Sequence, residues 1–78
     1  ALSMLNNKFM VQMADEFAED LISHYDGTQA QLNAAVQRSL GRSMRPDERE
    51  ALTAYTHQHG LVNTCRLLFN LSEFMFVD

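Results

Sequence analysis

The sequence predicts an all-α fold, a small irregular or orthogonal bundle of about four helices, and three observations predict it. Apolar residues recur at spacings of three and four over long stretches, the periodicity of a helix face. Hydrophobic residues make up 46% of the 78, too apolar for a disordered chain. Only three glycines and one proline occur, and they stand between periodic runs rather than inside them. We expect residues 1–78 to form a single helical domain, since a chain this short buries only roughly 60% of the surface that its unfolded form exposes.

The first helix is expected from Phe9 to Tyr25. Phe9, Met10, Met13, Ala14, Phe17, Leu21, Ile22 and Tyr25 lie on one face, with Asp15, Glu16, Glu19 and Asp20 opposite. Asn6 or Asn7 is a fitting N-cap after a short apolar lead of Leu2, Met4 and Leu5. Asp26-Gly27 ends this helix. Thr28 caps a second, with Leu32, Ala35, Val36 and Leu40 inward and Gly41 closing it in the left-handed conformation that glycine adopts without steric cost.

Ser43 to Arg45 form a loop. Pro46 then starts a third helix, because its missing N–H would have been unpaired there anyway, and Asp47 and Glu48 favour the positive end of the helix dipole. Leu52 and Tyr55 are its expected core stripe, and Gly60 stops it after His57 and His59. The fourth helix, about residues 61 to 71, is apolar nearly all round and should be the most buried. Ser72-Glu73 is expected to begin a separate final turn carrying Phe74, Met75 and Phe76.

Composition excludes several function classes. The net charge is -4 and the six basic residues are scattered, so the electrostatic footprint of nucleic-acid binding is missing. One cysteine cannot form an internal disulfide, so the core alone must hold the fold. No apolar run approaches the roughly 20 residues of a membrane span, and no signal peptide is legible within the chain. The chain opens on Ala1-Leu2 within an apolar pattern and closes on the apolar Phe74-Met75-Phe76-Val77 before Asp78, from which we expect it to be a piece of a longer protein.

Candidate chemistry gives way to structural explanations. His57 and His59, two apart on a helix, diverge by about 200°, whereas a helical chelate wants a spacing of three or four. With His24 they are expected to be solvated, and no metal or other cofactor is expected. Cys65 lies on an apolar helix, where a thiol is a small core residue rather than a nucleophile. Asp15, Glu16, Glu19 and Asp20 line an outward face, so they are expected to be solvated rather than a paired-carboxylate site. Cys-x-x-Cys-His is absent, which excludes covalent c-type haem within these residues. Asn70-Leu71-Ser72 fits a glycosylation pattern only by chance. Arg42, just past a helix end, can bond free carbonyls and grip a carboxylate with both arms of its guanidinium. We expect it to pair with Glu48 or Glu73 in a structural role.

Three motifs occur in order: Ala1-Leu2-Ser3-Met4-Leu5-Asn6-Asn7, then Leu40-Gly41-Arg42 with Pro46 and Glu48, then Asn70-Leu71-Ser72-Glu73-Phe74 closing on Asp78. Together they resemble the C-terminal segment of the planctomycete-type PSD domain of unknown function, over essentially the whole chain. Lys8, where the family often has Pro, and Arg45, where it usually has a Thr or Ser cap, depart from the pattern. The resemblance implies a large exported bacterial parent, in the periplasm or cell envelope, often accompanied by cytochrome-like domains. It carries no catalytic residue onto these positions.

The expected function is accordingly a non-enzymatic structural or interaction module that docks against the remainder of its parent chain or a protein partner. Phe74, Met75 and Phe76 are its expected contact residues, and self-association of the fragment is expected if that contact is lost. The alternative is an accessory helical part of an exported enzyme or electron-transfer protein whose active site lies upstream. A cleft lined by convergent polar groups favours the second; a closed core with an apolar surface patch favours the first.

Overall fold

Glycine residues, each with positive φ, cut the chain into four helices. The structure, a computed structural model, describes the backbone of residues 8–75 and the side chains of residues 8–71. The helices are α1 (Lys8–His24), α2 (Thr28–Leu40), α3 (Pro46–His59) and α4 (Leu61–Met75). Gly27, Gly41 and Gly60 lie at the junctions, with φ of 91°, 75° and 94°. At Gly41 the backbone is left-handed and its N–H closes the last turn of α2 onto the Gln37 carbonyl at 3.0 Å.

Gly60 is the whole connection between α3 and α4. Its N–H bonds the Thr56 carbonyl at 2.7 Å, and its own carbonyl accepts the Thr64 N–H and the Thr64 hydroxyl, each at 3.2 Å. Thr64 is fully buried. Its one proton is spent on Gly60, which leaves the Thr56 hydroxyl as donor in the 2.6 Å bond between the two threonines. The corner is therefore polar but satisfied.

The core lies where α1, α2 and α4 converge. Ala14, Ala18 and Leu21 come from α1, Leu32, Ala35 and Val36 from α2, and Cys65 and Leu68 from α4; Met44 enters from the loop after α2. Helix α4 packs against all three others, as does α2, whereas α1 and α3 do not meet among the described residues. The bundle is thus two inner helices flanked by two outer ones, a small all-α bundle of four helices as expected.

Four local expectations are corrected. Phe9, Met13 and Ile22 on α1 and Tyr25 just after it are exposed, while Ala18, which was not placed inward, is buried. The stripe was too wide: at 100° per residue Phe9 and Ile22 stand about 140° apart, and the contact covers only the centre, where alanines allow close approach. Thr28 is not a cap but the first residue of α2; Gly27 holds the cap position without a side-chain bond. Helix α3 buries no side chain completely: Leu52 is half-buried and packs against the core as expected, whereas Tyr55 is half-buried without joining it. Finally, α4 runs on without a break through Ser72 and Glu73 to Met75.

Candidate functional site

Surface helices normally set charge opposite their buried stripe. Helix α2 departs from this, carrying one charged side chain, Arg38, in 13 residues. Opposite its buried Leu32, Ala35 and Val36 stand Ala30, Asn33, Ala34 and Gln37, gathered within about 100° of the helix circumference. These four border an open groove of about 600 Å³. Tyr25 joins them from the end of α1, Ser43 and Met44 from the loop after α2, and Arg49 from the start of α3.

Local bonds hold each contributor in place. The Tyr25 N–H extends α1 by bonding the Leu21 carbonyl at 2.9 Å, and its carbonyl accepts the Gln31 side-chain amide at 3.2 Å. Met44 plugs the core at 6% exposure and so anchors the loop. Glu48 braces the rest. Its two oxygens take a fork of hydrogen bonds from Arg42, at 2.8 and 2.6 Å, while one accepts the Arg45 N–H at 3.0 Å and the other Arg45 Nη2 at 3.2 Å. That is half of a capping box: Glu48 reaches back to the cap backbone, but Arg45 has no acceptor with which to reciprocate, and its guanidinium supplies an ion pair instead.

The Arg42 bonds, then the Arg45 N–H, hold the Glu48 carboxyl well below its ordinary value of 4.5, at about 2. The same contact with Glu48 raises Arg42 further. Arg42 does not bond the carbonyls that end α2; Nη1 reaches the Ser43 carbonyl at 3.2 Å instead. The guanidinium thus ties the loop to the first turn of α3, positioning Ser43, Met44 and Arg49 along the groove.

A second polar link joins α1 to α2. Asp20 accepts a 2.8 Å hydrogen bond from Arg38, and His24 Nδ1 stands 3.2 Å from its other oxygen. The Arg38 bond lowers the Asp20 carboxyl. Arg38 also lies 5.2 Å over the Phe17 ring, which stacks on Phe69 with centroids 5.2 Å apart. Asp20 is therefore not a purely solvated member of the acidic group, as the sequence reading had it. The chain of contacts Asp20, Arg38, Phe17 and Phe69 connects α1, α2 and α4.

Cys65 is fully buried, and burial pushes its thiol up to about 12, away from the thiolate that a nucleophile requires. Among the described residues no three His, Cys, Asp or Glu side chains are placed to hold a metal ion, and no helix is long and apolar enough to cross a membrane. His57 and His59 are exposed, with the His59 ring tilted against Tyr55 at 4.5 Å. Of the expected site residues, Arg42 and Glu48 are brought together. The side chains of Glu73, Phe74 and Met75, and the whole of Phe76, lie outside the described residues.

Sequence reasoning did not single out the groove. A usable signal was present in the run from Thr28 to Gln37, which holds no charged residue although half its circumference faces away from the core. Comparison with protein families, curated proteins and solved structures finds no match for this chain.

Proposed function

We propose that this domain is a non-enzymatic interaction module that docks against the rest of its parent protein or a protein partner through the groove over α2. The charge-poor outer face of α2, open to solvent beside a groove of about 600 Å³, carries the reading. Interface centres are depleted in charged residues and enriched in Tyr, Met and Arg, and Tyr25, Met44 and Arg49 line this groove. Its polar side chains are hydrogen-bonding groups and one cation. They include no carboxylate, imidazole or thiol to move a proton near neutral pH, an inventory that suits recognition better than catalysis. Exposed Met13 and Ile22 on α1 add apolar surface elsewhere.

The three-motif resemblance supports a C-terminal position in a large exported bacterial parent, within the periplasm or cell envelope. A second reading draws on the groove's volume, which falls among those of small-molecule sites. In it the domain is an accessory part of an exported enzyme or electron-transfer protein, lending Tyr25, Ser43 or Arg49 to a site whose acid and base stand upstream.

A photo-cross-linking side chain in place of Gln37 tests the docking reading in the full parent protein in its own cell. Illumination should give a defined adduct, to the parent chain or to a partner, and the same side chain in place of the exposed Gln58 should give none. No adduct from position 37 overturns the reading. An adduct confined to a catalytic or cofactor domain, with activity lost in the Arg49→Gln variant, favours the accessory reading. Self-association offers a further check: the isolated chain should dimerise in light scattering if its docking face is uncovered.

A further inference from the structure

We propose that the groove takes an extended, acidic polypeptide segment, its backbone bonded by Asn33 and Gln37 and its carboxylate by Arg49. The inference rests on the groove being the docking face and adds what occupies it.

The first argument is one of spacing. Asn33 and Gln37 are one turn apart, about 6 Å along the axis of α2, and alternate residues of an extended chain are about 6.6 Å apart. Each carboxamide has a donor and an acceptor, and neither side chain has a hydrogen-bond partner among the described residues. Two such groups at this interval match the N–H and C=O of alternate peptide units. Beside them Ala30 and Ala34, also one turn apart, present only methyl groups, so a backbone can come close. From Ala30 to Gln37 the face is about 10 Å long, room for about three extended residues.

The second argument is charge. Every neighbouring arginine is already engaged: Arg38 by Asp20, and Arg42 and Arg45 by Glu48. Arg49, which lines the groove, has no ion pair among the described residues and keeps its full donor fork for a carboxylate. With a net charge of -4 the chain as a whole repels anions. Selection of an acidic segment therefore depends on the short-range Arg49 contact, not on long-range attraction.

The test is a two-dimensional 1H–15N NMR titration of the chain with a blocked octapeptide of alternating Thr and Glu, run beside its Thr-Gln and Thr-Lys counterparts. The Thr-Glu peptide should shift the side-chain amides of Asn33 and Gln37 and the Arg49 Nε–H. Arg49→Gln should weaken it about tenfold, the factor that ~1.4 kcal/mol represents, and the Asn33→Ala/Gln37→Ala pair by a similar factor, with the rest of each spectrum unchanged. The inference is overturned if the Thr-Glu peptide moves none of these signals at millimolar concentration, if the Thr-Gln peptide binds as tightly, or if Arg49→Gln leaves binding intact. Such a failure alongside a cross-link from position 37 removes the acidic occupant and keeps the docking face; loss of the cross-link removes both.

Discussion

Replacing Glu48 by Gln should destabilise the domain by about 1 kcal/mol at neutral pH, and the loss should vanish in acid. Glu48 accepts four hydrogen bonds, two of them from the Arg42 fork, and its carboxyl titrates at about 2 instead of 4.5. The folded state thereby prefers the charged carboxylate by ~3 kcal/mol before screening. Glu48 is 23% and Arg42 37% exposed, so solvent reduces the net effect to about 1 kcal/mol. Because the folded value lies below the unfolded one, this stabilisation is complete above pH 4.5 and is lost as pH falls towards 2. Urea unfolding followed by circular dichroism, at neutral pH and at about pH 2, measures the difference between native chain and variant at each pH. A chain of this length should also show a drop in Tm of about 4–8 °C at neutral pH. Equal stability at neutral pH, or a deficit that persists unchanged in acid, refutes the account of Glu48 as a charged brace.

The remaining predictions concern the corners and the core. Gly60→Ala should cost about 1–3 kcal/mol in denaturant unfolding, because φ of 94° with ψ of 159° is a glycine conformation. Beyond its chain neighbours no atom of the described residues lies within 4 Å of the added Cβ, so the penalty is conformational, and an unchanged midpoint would show that the corner relaxes freely. Thr64→Val should cost about 1–2 kcal/mol by stripping the Thr56 hydroxyl of its acceptor, and Thr56→Val added to it should restore part of that loss; simple additivity of the two would contradict the pairing. Cys65, buried and with its thiol at about 12, should resist iodoacetamide in native protein and react only on unfolding. Rapid native alkylation would show that the α1, α2 and α4 core opens.

The junctions between helices were legible in the sequence because they answer to local demands, whereas the end of α4 was not, since the break expected at Ser72 is absent. Gly27, Gly41 and Gly60 provide positive φ and Pro46 a preset helical φ, so no distant contact was needed to place the junctions. Local periodicity likewise sufficed to turn Leu32, Ala35 and Val36 inward on α2, but α4 is apolar nearly all round, and packing selected Cys65 and Leu68 from it for the core. The Arg42 pair was half legible: an Arg past a helix end and a Glu three residues after the cap predict an ion pair, but Glu48 and Glu73 stood open as partners.

What periodicity does not encode is how much of a helix its neighbours cover. It ranked Met13 and Ile22 with Leu21, yet α4 and α2 reach only the alanine-lined centre of α1 and leave both flanks exposed. It gave α3 a core stripe of Leu52 and Tyr55, but of the two only Leu52 packs on the core, and an outer helix that never meets α1 buries nothing completely. The groove is decided by tertiary structure for the same reason. Tyr25, Gln37 and Arg49 are far apart along the chain, and only the packing of α2 between α1 and α3, with Met44 pinned in the core and Arg42 clamped on Glu48, brings them to one surface. Sequence alone determined four helices, the glycine junctions between them and the absence of charge from Thr28 to Gln37; the packed bundle decided that this uncharged face would open on a groove, because that depends on distances between residues that no local preference sets.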